Sequence, residues 1–195
     1  MSQFSSRDVE AWVDEHGDAL FQYALTRLRN RATAEDVVQE TYLAALRGIE
    51  KFSERSSART WLFAILKYKI IDQIRRNARQ EKITSQSSES NMDDLFDAKG
   101  YYASLPTKWT GDPSADVQRQ EFWVCFHACL GKMPKRLADV FVLRHLEGQS
   151  SGEICKILDI STTNLWVMLH RGRLALRECL ALNWFNGDNQ KDSQP

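Results

Sequence analysis

The chain has 195 residues, 26 basic and 26 acidic, and is 43% hydrophobic and 27% charged, inside the ordinary globular range. Nine Phe, six Trp and five Tyr need burial, which excludes a disordered chain, and no window approaches the roughly 18 uninterrupted apolar residues of a membrane span. The opening MSQFSSRDVE lacks the apolar stretch of a secretory signal, so a cytoplasmic protein is expected, and its four cysteines are not expected to form a disulfide framework.

The balanced net charge hides a pattern. Residues 51–82 hold nine Lys/Arg against three Asp/Glu, residues 83–120 three against six, and residues 121–185 eight against six. A basic segment, an acidic connector and a mildly basic end do not make a uniform solvated surface.

In chain order the pattern is all-helical. A first helix is expected from Ser6 to about residue 29. Thr33, with Asp36 three places on, has the form of a capping box and opens a second helix that stops near Gly48, where a left-handed residue costs glycine nothing. Val38, Tyr42, Ala45 and Ile49 form its apolar stripe, while Asp36, Gln39, Glu40, Leu43 and Arg47 line another face. That face is read either as a protein-docking surface or, at Asp36, as a cap alone.

The third helix is expected over about 58–79. Leu62, Ile65, Leu66, Ile70 and Ile74 cover one half-circle at about 100° per residue. Trp61, Ala64, Tyr68, Asp72, Arg75 and Arg79 fall on the other side. Rings that stack unpaired bases beside guanidinium groups that hold phosphates would suit single-stranded nucleic acid. The same stripe also fits aromatic rings packed on a neighbouring helix with solvated arginines. The polar segment at 52–60, with two arginines, is a weak signal by itself.

Residues 84–117 lose periodicity and read as a linker, with one short helical turn around Leu95. Helices resume from Arg119. Pro134 opens one, Gly148 closes it, and Ser150 with Glu153 makes another capping box. Residues 150 to about 177 read as helix-turn-helix, a unit that places its second helix in the major groove. With Leu165 and Leu169 inward, Thr163, Asn164, Val167, His170 and Arg171 point outward. The expected architecture is therefore two small helical domains, 1–82 and 119–185, joined by a flexible acidic linker at 83–118 and followed by a polar tail at 186–195.

Enzyme signals are few. Cys125 and Cys129 lie about 40° apart on a helix, while His127 is about 160° or more from both, so the three cannot share one ion and the cysteines are read as core. Phosphate loops, nucleophile elbows and zinc-protease motifs are missing from the sequence, and His145 and His170 show no evident partner. No catalytic site, metal or cofactor is expected.

Taken together, these stretches resemble a bacterial sigma factor of the sigma-70 family, in its short extracytoplasmic-function group. AEDVVQETYL at 34–43 looks like the family's polymerase-docking helix. The segment 52–76, with TWL at 60–62 and DQIRR at 72–76, is similar to its −10 recognition and melting segment. MPKR at 133–136, VFVLRHLEG at 140–148 and HRGR at 170–173 are similar to its −35-reading domain.

The resemblance implies roles. Asp36, Gln39, Glu40 and Leu43 would bind the clamp coiled coil of the polymerase largest subunit. Arg59, Trp61, Lys67, Tyr68, Arg75, Arg76 and Arg79 would handle the −10 element. Thr163, Asn164, Trp166, Val167, His170 and Arg171 would face the −35 element, and that domain would also bind the polymerase flap. The acidic linker would thread the RNA exit path, and an anti-sigma factor would cover both docking surfaces. Two positions depart from the family pattern. Tyr68 stands where Asn is frequent, and Trp166, Val167 and Met168 replace a Lys-Ser-Arg-like trio, removing two positive charges. The other reading is a DNA-binding regulator that dimerises on a palindromic site; a metal- or thiol-dependent enzyme is a third.

Overall fold

A computed structural model describes residues 6–52, 56–84 and 120–185, and no strand occurs among them. The expected linker, its turn near Leu95 and the polar tail lie outside the described residues. The chain divides after Ile83 into two compact units, each with its own helices and core.

The first unit contains α1 (Ser6–Leu28), α2 (Arg31–Gly48, continued by a tight turn at Ile49–Lys51) and α3 (Ala58–Thr84). Two residues join α1 to α2. Arg29 takes a left-handed φ of 56° and its N–H donates to Leu25 O at 2.8 Å, turning the chain. Asn30 then caps α2, its Oδ1 accepting the Thr33 N–H at 2.9 Å. The cap therefore stands three residues before the expected Thr33–Asp36 box, and Asp36 lies beyond the first turn. Asn30→Ala should lower stability by about 1 kcal/mol, and Asp36→Ala should leave it nearly unchanged in the same urea titration.

Gly48 also differs from expectation, with φ −104°, so it is no left-handed stop; α2 tightens there instead of reversing. The seam of α2 is Ala34, Val37, Thr41, Tyr42 and Ala45, with Val38 and Ile49 only half-buried. Thr41 satisfies its buried hydroxyl on Val37 O at 2.8 Å, and Tyr42 donates to Trp12 O at 3.1 Å, tying α2 to α1. Burial pushes the Tyr42 phenol up to about 12. On α3, Leu62, Leu66, Ile70, Ile74 and Ala78 are buried, the expected face extended by a further turn, while Ile65 is half-buried.

The second unit contains α4 (Gln120–Lys132), α5 (Lys135–Phe141, widening into a π-turn at Val142–Leu146), α6 (Ser151–Leu158) and α7 (Thr162–Leu180, widening at Ala181–Phe185). Pro134 stands at the N-cap of α5, where its missing N–H costs nothing. Gly148 has φ 68°, the left-handed conformation expected of it. Val140, Val142, Leu143, Ile154 and Leu165 are buried almost completely and form the core.

The cysteines overturn the sequence expectation. Cys129 on α4 and Cys179 on α7 form a disulfide, with Cα atoms 5.7 Å apart and a sequence separation of 50. Cys129 is buried, as a core residue should be, but its core neighbour is a second cysteine that helix packing brings from far along the chain. Cys125 and Cys155 remain as half-buried thiols; burial pushes Cys125 up, and Lys132 partly offsets this. Because the bond closes a long loop, reduction or Cys179→Ser should cost about 4 kcal/mol in denaturant titrations, and Cys155→Ser should cost far less.

Candidate nucleic-acid interface

The N-terminus of α3 is built on Ser57, whose Oγ accepts the Thr60 N–H at 3.2 Å and lies 2.9 Å from the Thr60 hydroxyl. This start sets the phase of the helix and puts Trp61 against the first unit's aromatic cluster. Trp61 stacks on Phe52 at 4.8 Å and 27°, and meets Trp12 edge-on at 6.2 Å. A Cβ added at Gly48 would stand 3.6 Å from the Trp61 ring, so the indole also lies along the end of α2. Of the two readings of this residue, packing is the one the geometry favours. Trp61 is half-buried among these rings.

The rest of the stripe faces water. Tyr68 is 81% exposed, and Ala64, Lys67, Asp72 and Arg79 are exposed as well. Arg59 places its guanidinium 5.6 Å over the Phe63 ring, which in turn meets Tyr23 edge-on at 5.2 Å. Asp72 holds both of its arginine neighbours, Arg75 at 3.7 Å and Arg76 at 3.6 Å. The result is an exposed aromatic ring flanked by cations, with one carboxylate fixing two of them.

Across from it, α2 presents Asp36, Gln39, Leu43, Leu46 and Arg47 to solvent. Leu43 is 52% exposed in the middle of that face, which costs folding nothing but leaves an apolar surface uncovered. Glu40 behaves differently from its neighbours. Its Oε2 accepts from Lys69 at 3.1 Å and lies 3.7 Å from Arg76, both on α3. The hydrogen bond from Lys69 is the main reason its carboxyl is held below the ordinary range. Glu40 is thus engaged by the helix carrying the stripe, whereas Asp36, Gln39 and Leu43 face outward.

In the second unit α6 and α7 meet at a three-residue turn. Asp159 is left-handed, φ 52°, and Ile160 N–H donates back to Cys155 O at 3.1 Å. Ser150 and Glu153 complete the expected capping box of α6, with Glu153 Oε2 accepting the Ser150 N–H at 2.9 Å. Ser161 caps α7 by accepting the Asn164 N–H at 3.2 Å. With Leu165, Met168 and Leu169 buried, Thr163, Asn164, Trp166 and Val167 are exposed, and His170 and Arg171 are half-buried farther along. All six expected residues therefore lie outside the core seam of a helix that follows a short turn.

A probable RNA polymerase sigma factor of Haemophilus influenzae is 34% identical to this chain over 164 residues, 83% of this chain and 84% of the relative. This chain belongs to the sigma-70 family. The family's profiles for Sigma-70 region 2 and Sigma-70, region 4 match residues 12–80 and 123–176. The extracytoplasmic-function (ECF) sigma factor SigW of Bacillus subtilis is 27% identical over 183 residues, 92% of this chain and 94% of its own, and the chain falls in that group of the family. The solved sigma factor RpoE of Bartonella quintana, crystallised with the anti-sigma factor NepR, covers 91% of this chain and 99% of its own with 20% identity and a TM-score of 0.43.

Within this sigma factor the sequence reading missed three contributors. Lys69 was not distinguished from other surface lysines, although it holds Glu40. Trp12 and Phe52 complete the ring cluster on Trp61, and only the tertiary fold brings them there. Among the described residues, no group of three His, Cys, Asp or Glu side chains could hold a metal ion, and no helix is long and apolar enough to cross a membrane.

Proposed function

We propose that this ECF sigma factor binds core RNA polymerase through α2 and recognises the −10 and −35 elements of promoters through α3 and α7. It helps to open the DNA as an alternative, stress-responsive initiation factor under anti-sigma control in the cytoplasm. In this reading it acts by binding and not by catalysis. In this reading 1–82 and 119–185 are the two domains and 83–118 the segment between them, with α3 running two residues past the first boundary to Thr84.

The observation that carries this reading is the division of labour on the first unit. One exposed face, around Leu43, is suited to a protein, and another, around Tyr68 and Arg79, is suited to nucleic acid. Glu40 joins the two helices through Lys69 and Arg76. A regulator relying on its helix-turn-helix would need neither face. Anti-sigma control fits the same surface, since an exposed leucine that polymerase must reach can be blocked by covering it.

Footprinting with and without core polymerase tests the reading. The chain alone should bind DNA weakly and lose that binding steeply as salt rises, because neutralised phosphates dominate non-specific affinity. With core polymerase it should protect two separated promoter elements. Tight protection of a palindromic duplex by the chain alone would instead establish a dimeric regulator.

A further inference from the structure

The exposed side of α7 is chemically unusual for a DNA-reading helix. From Thr162 through Leu169 it carries no charged residue. The commonest specific contact in the major groove, Arg or Lys on guanine O6 and N7, is therefore out of reach of the first two turns. Methyl groups and rings take its place. Val167 is 44% exposed, Trp166 is 50% exposed, and Thr163 is exposed one turn before Val167 on the same side. The first basic residues on that side are His170 and Arg171, half-buried and a turn farther on.

In the major groove only one base edge is apolar, the C5-methyl group of thymine. Thr163 and Val167 are separated by about 6 Å of helix rise, so their methyl groups fall on base pairs up to about two steps apart. Asn164, exposed beside them and fixed at its backbone by Ser161, is the side-chain type that reads adenine N6 and N7, the partner of thymine. Resting on the promoter-recognition reading above, we propose that α7 specifies A·T pairs in the upstream promoter element through thymine methyl groups. Thr163 and Val167 contact the methyls, and Asn164 takes an adenine. Trp166 covers the flank of that contact and keeps water from it.

Deoxyuridine tests this directly, because it retains every hydrogen-bonding atom of thymine and lacks only the methyl group. Holoenzyme reconstituted with core polymerase selects from promoters randomised across the upstream element, and the enriched element is resynthesised with deoxyuridine there alone. The expected result is an element containing thymine, with affinity falling about fourfold for each contacted methyl removed. Val167→Ala and Thr163→Ser should bind the thymine element more weakly and the deoxyuridine element nearly as wild type does, so the ratio between the two shrinks toward one. Equal affinity of wild-type holoenzyme for both elements would overturn the proposal. A Val167→Ala loss of the same size on both would also overturn it and assign Val167 to a protein contact. A holoenzyme that enriches no upstream element would overturn the promoter-recognition reading, and this proposal with it.

Discussion

Leu43→Arg should impair holoenzyme assembly, weakening binding to core polymerase by roughly 30-fold to 1000-fold, the range of a central hot-spot residue replaced by an unpaired charge. Leu43 is on the side of α2 opposite the Ala34, Val37 and Ala45 seam and is 52% exposed, so the substitution should leave the fold intact. An exposed helical Arg is no worse a helix former than Leu, and thermal stability should change by less than about 0.5 kcal/mol. Gln39→Ala should follow with a smaller loss. Fluorescence titration of core polymerase, with thermal melts of each variant, separates the two effects. Normal assembly by Leu43→Arg would show that α2 docks elsewhere.

Trp61→Ala should fail for a different reason. Its indole is stacked on Phe52, set edge-on to Trp12 and laid against Gly48, so truncation leaves a hole between α1, α2 and α3. Deleting a buried aromatic costs about 3–5 kcal/mol, and half-burial places Trp61 near the lower end. For a unit of this size that corresponds to a drop of roughly 12–24 °C in melting temperature. The variant should therefore lose activity on duplex promoters and on templates already mismatched across the −10 region alike. Tyr68→Ala offers the contrast. At 81% exposed it contributes little to the fold, and a lost stacking contact should reduce opening about five- to 150-fold. A pre-opened template should then restore most of the activity. If Trp61→Ala melts normally and is rescued by the mismatched template, the packing assignment is wrong.

The contrast between Trp61 and Tyr68 shows where sequence reasoning reaches its limit. Helical periodicity correctly placed Leu62, Leu66, Ile70 and Ile74 in the core and Tyr68 outside, because that pattern is a property of one helix. It could not place Trp61, whose environment is made by Trp12 and Phe52 on other segments. The same limit hid the Glu40–Lys69 bond and the Cys129–Cys179 disulfide, both formed between residues far apart in sequence. Local signals behaved unevenly as well. Ser150 with Glu153 capped α6 as the pattern implies, since both partners of the box are present. Thr33 with Asp36 did not cap α2, because Asn30, extended at φ −136° after the left-handed Arg29, supplied an acceptor first. A short polar turn before a helix contains several possible caps, and the path of the preceding helix decides among them.

Glu40 ties α2 to the helix that carries the exposed stripe. Its carboxylate holds Lys69 and Arg76 on α3, and Asp72 holds Arg75 and Arg76 from the same helix. These are partly exposed pairs, individually worth about 1 kcal/mol or less. Their effect is to orient cations beside Tyr68 more than to stabilise the fold. Because the Glu40 carboxyl is depressed, this orientation is present above its ordinary range and is lost as pH falls through the lowered value.

Run-off transcription with purified core polymerase tests the central claim most directly. Core polymerase alone, core with the wild-type chain, and core with Leu43→Arg are given the same pool of linear genomic fragments. The expected result is a discrete set of transcripts that appears only with the wild-type chain and disappears with Leu43→Arg. The same background transcription in all three reactions, with no discrete product added by the wild-type chain, would contradict the assignment of promoter-directing activity.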